Sequence, residues 1–414
     1  MSTLRVCIVA EHASKNFGGE AILPFHYFRI LRRRRIDAFL IVHERTRTEL
    51  TALFPDDLER LRFVADMPPQ KLFFRLSRLL PRRIAESTFG LANHLLTQHA
   101  QRAILRKLIH SHTIIHQPIP VSPRFPSLLS GLGAPLIIGS LNGGMEYPPA
   151  FRHAESAASR FAIALGRSLS NAVNAMLPGK RSAAIILVAN QRTRAALPSG
   201  LRGRIVELAE NAVDLAQWQL PSTLPPPTEA AMFLFIGRLV DWKALEIVLE
   251  ALAATPAATL EVIGGGPMLG TWRAQAEVLG IANRVTFHGW LPQSDCVPHL
   301  ARARALVLPS IYESGGAVVL EAMAMSRAVI ATAWGGPADY LDEACGILVP
   351  PTSRAALVSG FAQAMQRLGE NPAAATAMGN AGRAKVESTF DWETKVDAVL
   401  ELYASVLPSD TIRR

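Results

Sequence analysis

The sequence predicts an α/β protein with two doubly wound parallel sheets, one on each side of a proline-rich segment. Short apolar runs alternate with helical patterns along the chain, and this alternation is typical of parallel strands joined by helices. The 414 residues are too many for one ordinary hydrophobic core. The segment QLPSTLPPPTEA, residues 219–230, contains four prolines and is the predicted linker.

Composition and cysteine usage indicate a globular, reduced protein. Hydrophobic residues make up 49% of the chain and charged residues 19%, which is ordinary for a folded enzyme. The three cysteines are far apart and show no C-x-x-C spacing, so we expect free thiols and a cytoplasmic protein. The first residues lack the pattern of a secretory signal, and no run approaches the length of a membrane span.

The positive charge of the chain is concentrated near its beginning. Residues 1–110 hold 19 Lys and Arg against 10 Asp and Glu, whereas the remaining residues carry 24 of each. Arg32 to Arg35 and the stretch Lys71 to Arg83 supply much of the excess, and the second has the pattern of a basic amphipathic helix. We expect contact with an anionic membrane surface; a solvated helix with its leucines packed inward is the alternative. Nucleic acid is disfavoured because stacking aromatics are missing from these clusters.

The first half contains six predicted strands and one glycine loop. Gly18 and Gly19 lie between the first strand and a helix predicted over residues 21–34, an arrangement that suits phosphate but also fits a plain tight turn. The region from the second strand to Lys107 is predicted to be helical. The predicted strands cover residues 4–10, 38–42, 113–116, 135–139, 185–189 and 204–208.

The second half repeats the strand and helix alternation, and its central feature is ALVLPSIYESGGAVVLEAMA, residues 305–324. The apolar run 305–308 is a predicted strand, and residues 318–325 are a predicted helix. Glu313 should therefore lie in the connecting loop and Glu321 on the helix. Gly315 and Gly316 let the backbone approach a ligand closely. The other predicted strands begin within residues 233–239, 260–267, 284–292 and 328–336.

Further polar groups follow the predicted strands. Arg238 and Lys243 come after the strand that starts the second half, and two cations near a helix start suit a diphosphate, although surface charge is the plainer explanation. Gly264 and Gly265 follow the next strand. In the first half, Asn142, Glu146 and His116 are candidates for the cleft that two such domains would form. A histidine at a strand end is more often structural.

The motifs GRLVDWK, VIGGGP, FHGWLP, ESGGAVVLEAMA and GGPADYL resemble the C-terminal domain of the retaining nucleotide-sugar glycosyltransferases of family 4. Their order and spacing cover residues 233–345. The first half resembles the family more loosely, through GGEA, IIHQPIPVSP, GSLNGGMEYPPAF and ENAVDL. The resemblance implies the GT-B architecture, in which two facing Rossmann-like domains enclose a cleft.

The resemblance also implies a role for each matching residue. Glu313 would hold hydroxyls of the donor sugar, and Arg238 and Lys243 would stabilise the departing diphosphate; these three are the implied catalytic residues. Glu321 would bind the ribose. The implied donor contacts also include Gly315, Gly316, Ala317, Val318, Gly18, Gly19, Gly264, Gly265, His288, Trp290 and Leu291.

The implied domains are an acceptor-binding domain over residues 1–218, a donor-binding domain over 219–390, and a terminal helix over 391–414 that returns to the first domain. No D-x-D pair is present to hold a metal, so neither a metal nor another cofactor is expected. Three positions depart from the family pattern. Ala244 follows the lysine and Ala212 follows the asparagine where glycine is usual, and SRAV, which begins at Ser326, replaces G-x-P-V.

The expected function is transfer of a hexosyl group from a nucleotide-diphosphate sugar to a hydroxyl of a glycan or lipid-linked glycan, with retention of configuration, in polysaccharide or glycolipid biosynthesis. The expected location is the cytoplasm, with peripheral association at the inner membrane face. Two alternatives stay open at this stage: a nucleotide-sugar 2-epimerase of the same architecture, and a catalytically silent donor-binding subunit.

Overall fold

The structure is a computed structural model that describes residues 4–16, 19–70, 82–154, 170–219 and 231–407. The chain divides into two compact units. The first unit comprises Met1–Gly144, Ala157–Glu210 and Lys395–Arg414, and the second comprises Met145–Ser156 and Asn211–Thr394. The division after Glu210 lies near the predicted domain boundary. The assignment of Met145–Ser156 to the second unit has no counterpart in the sequence prediction.

Each unit is built on one parallel sheet, so the predicted fold class of two Rossmann-like domains is confirmed. The strands are β1 Arg5–Val9, β2 Asp37–His43, β3 Leu61–Val64, β4 Thr113–Gln117, β5 Leu136–Leu141, β6 Ile185–Val188, β7 Arg204–Glu207, β8 Ala231–Ile236, β9 Ala258–Ile263, β10 Val285–Gly289, β11 Ala305–Leu308, β12 Ala328–Thr332 and β13 Gly346–Val349. Their order is β3-β2-β1-β4-β5-β6-β7 in the first unit and β10-β9-β8-β11-β12-β13 in the second.

Helices connect these strands, as the alternating pattern predicts. The helices are α1 Ile22–Arg33, α2 Arg47–Leu53, α3 Arg82–Leu108, α4 Gln191–Ala195, α5 Leu245–Ala253, α6 Leu269–Val278, α7 Gln293–Arg302, α8 Ala317–Ala324, α9 Gly336–Tyr340, α10 Arg354–Glu370, α11 Pro372–Lys385 and α12 Trp392–Ala404. In the part of the chain that the structure describes, no helix has the length and apolar content of a membrane span.

The inner strands are continuous apolar runs because both faces of each sheet are covered. In β1, Val6, Cys7 and Ile8 are completely buried, and every residue of β11 is completely buried. Parallel pairing places Val6 opposite Ala38 of β2. All three cysteines of the chain are free and buried, as the sequence predicts.

Two short strands, β3 and β13, are absent from the sequence prediction. The sequence predicts helix between the second strand and Lys107, but β3 interrupts this region and pairs with β2. β3 has only four residues and its centre is half-buried, so it lacks a clear apolar run. β13 is equally short and is missing from the prediction. A strand of this length is defined by its partner rather than by its own pattern.

The two basic clusters of the first unit have different outcomes. Arg32 donates a hydrogen bond from Nε to Oδ1 of Asp57 at 2.8 Å, and Arg34 pairs with Asp397 of α12. This cluster is therefore partly neutralised by carboxylates. The predicted basic amphipathic helix, Lys71 to Arg83, lies outside the described residues as far as residue 81, and its last two residues begin α3. The predicted linker lies outside the described residues from residue 220 on.

Candidate functional site

The strand order of the second unit reverses between β8 and β11. β9 and β10 lie on one side of β8, and β11 to β13 lie on the other, with Ala305 and Leu306 of β11 opposite Phe233 and Leu234 of β8. In an open parallel sheet the crevice beyond the carboxyl ends at such a reversal is the usual ligand position. The segments that leave β8 and β11 at this end are residues 237–244 and 309–316.

These two segments bring Lys243 and Glu313 together. The Lys243 ammonium forms an ion pair with Oε2 of Glu313, across 70 residues of sequence. Each side chain is only 14% exposed, so both charges are held in a largely enclosed position. The sequence assigned both residues to one site, and the structure places them in contact.

Main-chain bonds fix the Lys243 segment. The backbone N–H of Lys243 donates to the Val240 carbonyl at 3.0 Å, and the N–H of Ile311 donates to the Trp242 carbonyl at 3.0 Å. The second bond ties the segment after β11 directly to the segment after β8. Ala244 then adopts a left-handed conformation, with φ 50° and ψ 38°, and α5 begins at the next residue. Arg238 is exposed and has no ion-pair partner among the described residues.

The glycine pair after Glu313 shapes the start of α8. Gly316 has φ 75° and precedes the first helical residue, Ala317. The next loop lies directly against the Glu313 loop, because the N–H of Gly336 donates to the Glu313 carbonyl at 2.8 Å. A Cβ at Gly336 would overlap the carbonyl oxygen of Gly315. The loop after β12 can therefore approach the Glu313 loop only because residue 336 has no side chain.

Glu321 lies on α8, as predicted, and its Oε1 accepts a hydrogen bond from Nε2 of Gln293 at 3.0 Å. Burial raises the pKa of the Glu321 carboxyl to about 7, and the Gln293 hydrogen bond acts in the opposite direction. An enclosed carboxylate with a hydrogen-bonding amide beside it can accept bonds from ligand hydroxyls. Gln293 is a neighbour that the sequence reasoning did not identify.

Gly264 and Gly265 allow the loop after β9 to pack on the segment after β8. Gly264 has φ 141°, and a Cβ there would overlap the Gly237 carbonyl oxygen. The N–H of Leu239 donates to the Gly265 carbonyl at 3.0 Å. These glycines support the segment that carries Arg238 and Lys243, in addition to any ligand contact.

The FHGWLP motif begins in β10. The His288 ring does not point into open space, because its Nε2 lies 3.2 Å from Oε2 of Glu261. Trp290, directly after β10, is 73% exposed, and Leu291 follows at intermediate exposure. The His288 ring is therefore engaged by Glu261, whereas the indole of Trp290 is available to a planar ligand.

The glycine loop of the first unit is described in part. Gly18 lies outside the described residues, and Gly19 has φ 57° and starts a short turn before α1. Glu49 fixes the preceding segment: its carboxylate accepts bonds from Oγ of Ser14 at 2.7 Å and from the N–H of Lys15 at 2.8 Å. Glu49 is a further residue that sequence reasoning missed.

The three predicted cleft residues have distinct environments. His116 is completely buried in the first unit: Tyr403 of α12 donates to its Nδ1 at 2.6 Å, and its Nε2 donates to the Gly139 carbonyl at 2.7 Å. Burial lowers the pKa of His116 to about 4. This enclosure supports the structural alternative that the sequence leaves open for His116. Asn142 donates to Oε2 of Glu210 at 2.5 Å.

Glu146 is exposed and belongs to the second unit. Nε1 of Trp334 donates to the Glu146 carbonyl at 2.8 Å, and the rings of Tyr147 and Tyr312 lie 5.0 Å apart. Glu146 and Tyr147 therefore contact the loops that carry Trp334 and Tyr312. The aromatic residues in both segments are the only sequence feature that could have indicated this contact. Their pairing joins residues far apart in sequence and was not predicted.

Comparison with known proteins identifies the class of fold. HepE from Anabaena, in a crystal structure with UDP, aligns over 97% of this chain and 100% of its own, with a TM-score of 0.65 and 15% identity. This likeness shows the fold, which is that of the GT-B glycosyltransferases. Residues 217–385 match the sequence model of the family described as glycosyl transferases group 1.

Curated relatives match about half of the chain. Glycogen synthase from Mycobacterium tuberculosis is 30% identical over 203 residues, which are 48% of this chain and 48% of that protein. The lipopolysaccharide core biosynthesis glycosyltransferase LpsE from Rhizobium meliloti is 31% identical over 204 residues, 49% of this chain and 55% of that protein. The chain spans about half the length of the curated relatives that it matches.

Proposed function

We propose that this protein is a retaining glycosyltransferase of family 4. It transfers a hexosyl group from a nucleotide-diphosphate sugar to a hydroxyl of a glycan or lipid-linked glycan. The observation that carries the proposal is the Lys243–Glu313 pair at the strand-order reversal of the second unit. A cation and a carboxylate in one enclosed position suit a ligand that presents phosphate next to sugar hydroxyls. The UDP in the HepE crystal structure supports a nucleoside diphosphate as the leaving group.

Different residues bind different parts of the donor. Glu313 accepts hydrogen bonds from hydroxyls of the hexose, and Lys243 and Arg238 bind the diphosphate. Glu321, with Gln293 beside it, binds the ribose. The Lys243 ammonium is paired with Glu313; donor binding gives the ammonium a phosphate partner and frees the carboxylate for the sugar. Neither charge is left buried without a partner at any stage.

In the reaction the bond between the anomeric carbon and the phosphate oxygen breaks, and its electron pair stays on the phosphate. The acceptor oxygen forms the new bond to the anomeric carbon on the same face, and its proton passes to an oxygen of the departing diphosphate. Lys243 and Arg238 stabilise the negative charge that develops on that diphosphate. Stabilisation by preorganised charges is usually the largest single contribution to catalysis. This chemistry requires no protein nucleophile and no metal.

The names of the relatives support a glycan acceptor, since they include a glycogen synthase and a lipopolysaccharide core glycosyltransferase. We propose a lipid-linked acceptor reached at the inner membrane face, because the excess positive charge lies in residues 1–110. Sedimentation with phosphatidylglycerol vesicles tests this part: binding at low salt that weakens at high salt is expected. Failure to sediment at any salt concentration would remove the membrane from the proposal and leave the transferase intact.

The transferase activity is tested by incubating the protein with UDP-, GDP- and ADP-hexoses and a panel of glycan acceptors. We expect a product whose new linkage has the anomeric configuration of the donor, measured by NMR coupling constants. Glu313→Gln should reduce turnover by more than about tenfold, a loss of at least 1.4 kcal/mol of transition-state stabilisation. Formation of an epimer without acceptor would replace the proposal with the epimerase, and donor binding without any turnover would replace it with the binding subunit.

A further inference from the structure

We propose that the second unit contains a binding site for a first-row transition metal ion such as Zn²⁺, formed by Glu261, His288 and His299. The three side chains come from β9, β10 and α7. One ligand atom from each lies within 4.8 Å of the other two. The site does not include Lys243, Arg238, Glu313 or Glu321, although His288 is also one of the implied donor contacts, and the inference goes beyond the proposed function.

The ligand atoms have the spacing that a metal requires. Oε2 of Glu261 lies 3.2 Å from Nε2 of His288 and 2.5 Å from Nδ1 of His299. Zn²⁺ binds nitrogen and oxygen at about 2.0–2.2 Å, so two ligand atoms at tetrahedral angles are roughly 3.3 Å apart. The pair with His288 already has this separation. The pair with His299 must open by less than about 1 Å, which a helix side chain can do by rotation.

Strand alternation places His288 on the face of Glu261. Thr286 of β10 is paired with Glu261 of β9, and His288 lies two residues further along β10, where a strand side chain returns to the same face. The register then shifts, so that Gly289 rather than His288 is paired with Ile263. His288 is therefore the extra residue of a bulge, a feature that is frequent beside functional sites.

The chemistry of the ligand set selects the ion. Two imidazoles and one carboxylate suit Zn²⁺ and its first-row neighbours, whereas Mg²⁺ and Ca²⁺ prefer oxygen ligands. Three protein ligands leave a fourth position for water.

Arg302 occupies the position in which the metal charge would lie. Its NH2 group contacts both carboxylate oxygens of Glu261, at 2.7 and 2.8 Å, and Nδ1 of His299 at 2.7 Å. Nδ1 cannot donate to Glu261 and accept from Arg302 in the same tautomer, so the cluster without metal cannot satisfy all its contacts. The Arg302 side chain is 34% exposed at the end of α7 and can swing into solvent. It is therefore a competitor of the metal.

Occupancy would connect α7 to two strands that are already paired with each other, β9 and β10. β10 is an edge strand of the sheet, and the metal would attach it to α7. The first residue of α7, Gln293, donates to Glu321. The ion would therefore hold the helix that supports this carboxylate.

The test is titration calorimetry of the full chain, treated with chelator and dialysed, against ZnCl₂. We expect one equivalent of Zn²⁺ to bind and to raise the melting temperature. His288→Ala and His299→Ala should each weaken binding by more than about tenfold, since even second-sphere changes cost 10–100-fold. Arg302→Gln should tighten binding, because it removes the competing charge.

Two control variants separate this site from adventitious binding. His99→Ala removes an exposed histidine of the first unit, and Cys296→Ser removes the thiol of α7 whose pKa is raised by burial and by the charge of Glu321. Both should bind Zn²⁺ like the unchanged protein. The proposal is overturned if the unchanged protein binds no Zn²⁺, if the two histidine variants bind it undiminished, if Arg302→Gln weakens binding, or if Cys296→Ser abolishes it. Circular dichroism of the histidine variants checks that they are folded.

Discussion

Two residues of the second unit other than glycine, Ala244 and Ser326, have left-handed backbone conformations, with φ 50° and 52°. A side chain in this region costs roughly 1–2 kcal/mol, because its Cβ approaches the following carbonyl. Ala244 stands between Lys243 and α5, and Ser326 follows α8. Both positions are those at which the sequence departs from the glycine usual in the family it resembles. Ala244 and Ser326 thus have a backbone conformation that suits glycine, and their side chains make this conformation strained.

Ser326→Gly is therefore expected to raise the free energy of unfolding by about 0.5–1 kcal/mol. The matched control is Ser359→Gly, the same chemical change at an exposed position inside α10, where glycine should lower stability by about 0.5 kcal/mol. Urea denaturation of the two variants gives both values. A loss of stability in Ser326→Gly equal to that of the control would show that position 326 is not strained.

The second prediction at the residue scale concerns Glu321, whose pKa burial raises from 4.5 to about 7. Between these values the native state keeps the proton that the unfolded state has lost, so the free energy of unfolding falls as the pH rises from about 4.5 to 7. Above pH 7 the change is complete. The fall should amount to about 1–3 kcal/mol.

Glu321→Gln removes the titrating carboxyl. The free energy of unfolding of this variant should therefore lack the fall between about pH 4.5 and 7. Denaturation of both proteins at several pH values between 5 and 8 measures the difference in free energy of unfolding between them. We expect the variant to gain stability relative to the unchanged protein as the pH rises. Parallel curves would contradict a raised carboxyl pKa at this position.

At the scale of elements, the loop after β12 determines the position of the loop after β11. Gly336 donates to the Glu313 carbonyl, and a Cβ at position 336 would overlap the Gly315 carbonyl oxygen. Gly336→Ala should push the two loops apart, lower the free energy of unfolding by about 1–3 kcal/mol and weaken donor binding. Calorimetric titration of the donor and urea denaturation measure the two effects.

Gly270→Ala is the matched control for this change. Gly270 lies near the start of α6, and a Cβ there meets no atom within 4 Å. Alanine in a helix is more stable than glycine by about 0.5–1 kcal/mol, so this variant should gain stability and keep its donor affinity. If both variants behave alike, the close approach of the two glycine loops has no role in holding Glu313.

The sequence predicts elements well where they have their own signal. The buried strand 305–308 is found at the predicted bounds, and Glu313 and Glu321 lie in the loop and on the helix that the pattern assigns to them. Contacts made by partners distant in sequence could not be predicted from local patterns. The Lys243–Glu313 pair depends on β8 and β11 being neighbours. Likewise, no periodicity reveals that Glu146 and Tyr147 contact Trp334 and Tyr312.

At the scale of the whole molecule, the end of the chain belongs to the first unit. Residues from Lys395 on are part of this unit, and Tyr403 of α12 reaches His116 of β4 across 287 residues of sequence. The His116 ring also lies 4.7 Å from the ring of Tyr27 in α1. A buried hydrogen bond thus connects α12 to β4 within the core of the first unit. The ring keeps its neutral form at neutral pH because burial lowers its pKa to about 4.

Tyr403→Phe should lower the free energy of unfolding by about 1–3 kcal/mol, because it leaves Nδ1 of His116 buried without its donor. Glu401→Gln, at an exposed position of the same helix, should change stability by less than about 0.5 kcal/mol. Chemical denaturation followed by fluorescence gives both values. A Tyr403→Phe variant as stable as the control would show that α12 is held by apolar packing alone.

The most direct test of the central claim is titration calorimetry of UDP, GDP and ADP, and of the matching nucleotide hexose, against the unchanged protein and two variants. We predict that at least one diphosphate binds and that Lys243→Ala weakens it by more than about tenfold, while Lys107→Ala, an exposed lysine of α3, has no effect. Glu313→Gln should weaken the nucleotide hexose and leave the diphosphate equally or more tightly bound, since only the hexose needs the carboxylate. The account is contradicted if none of the diphosphates binds, or if neither Lys243→Ala nor Glu313→Gln changes affinity.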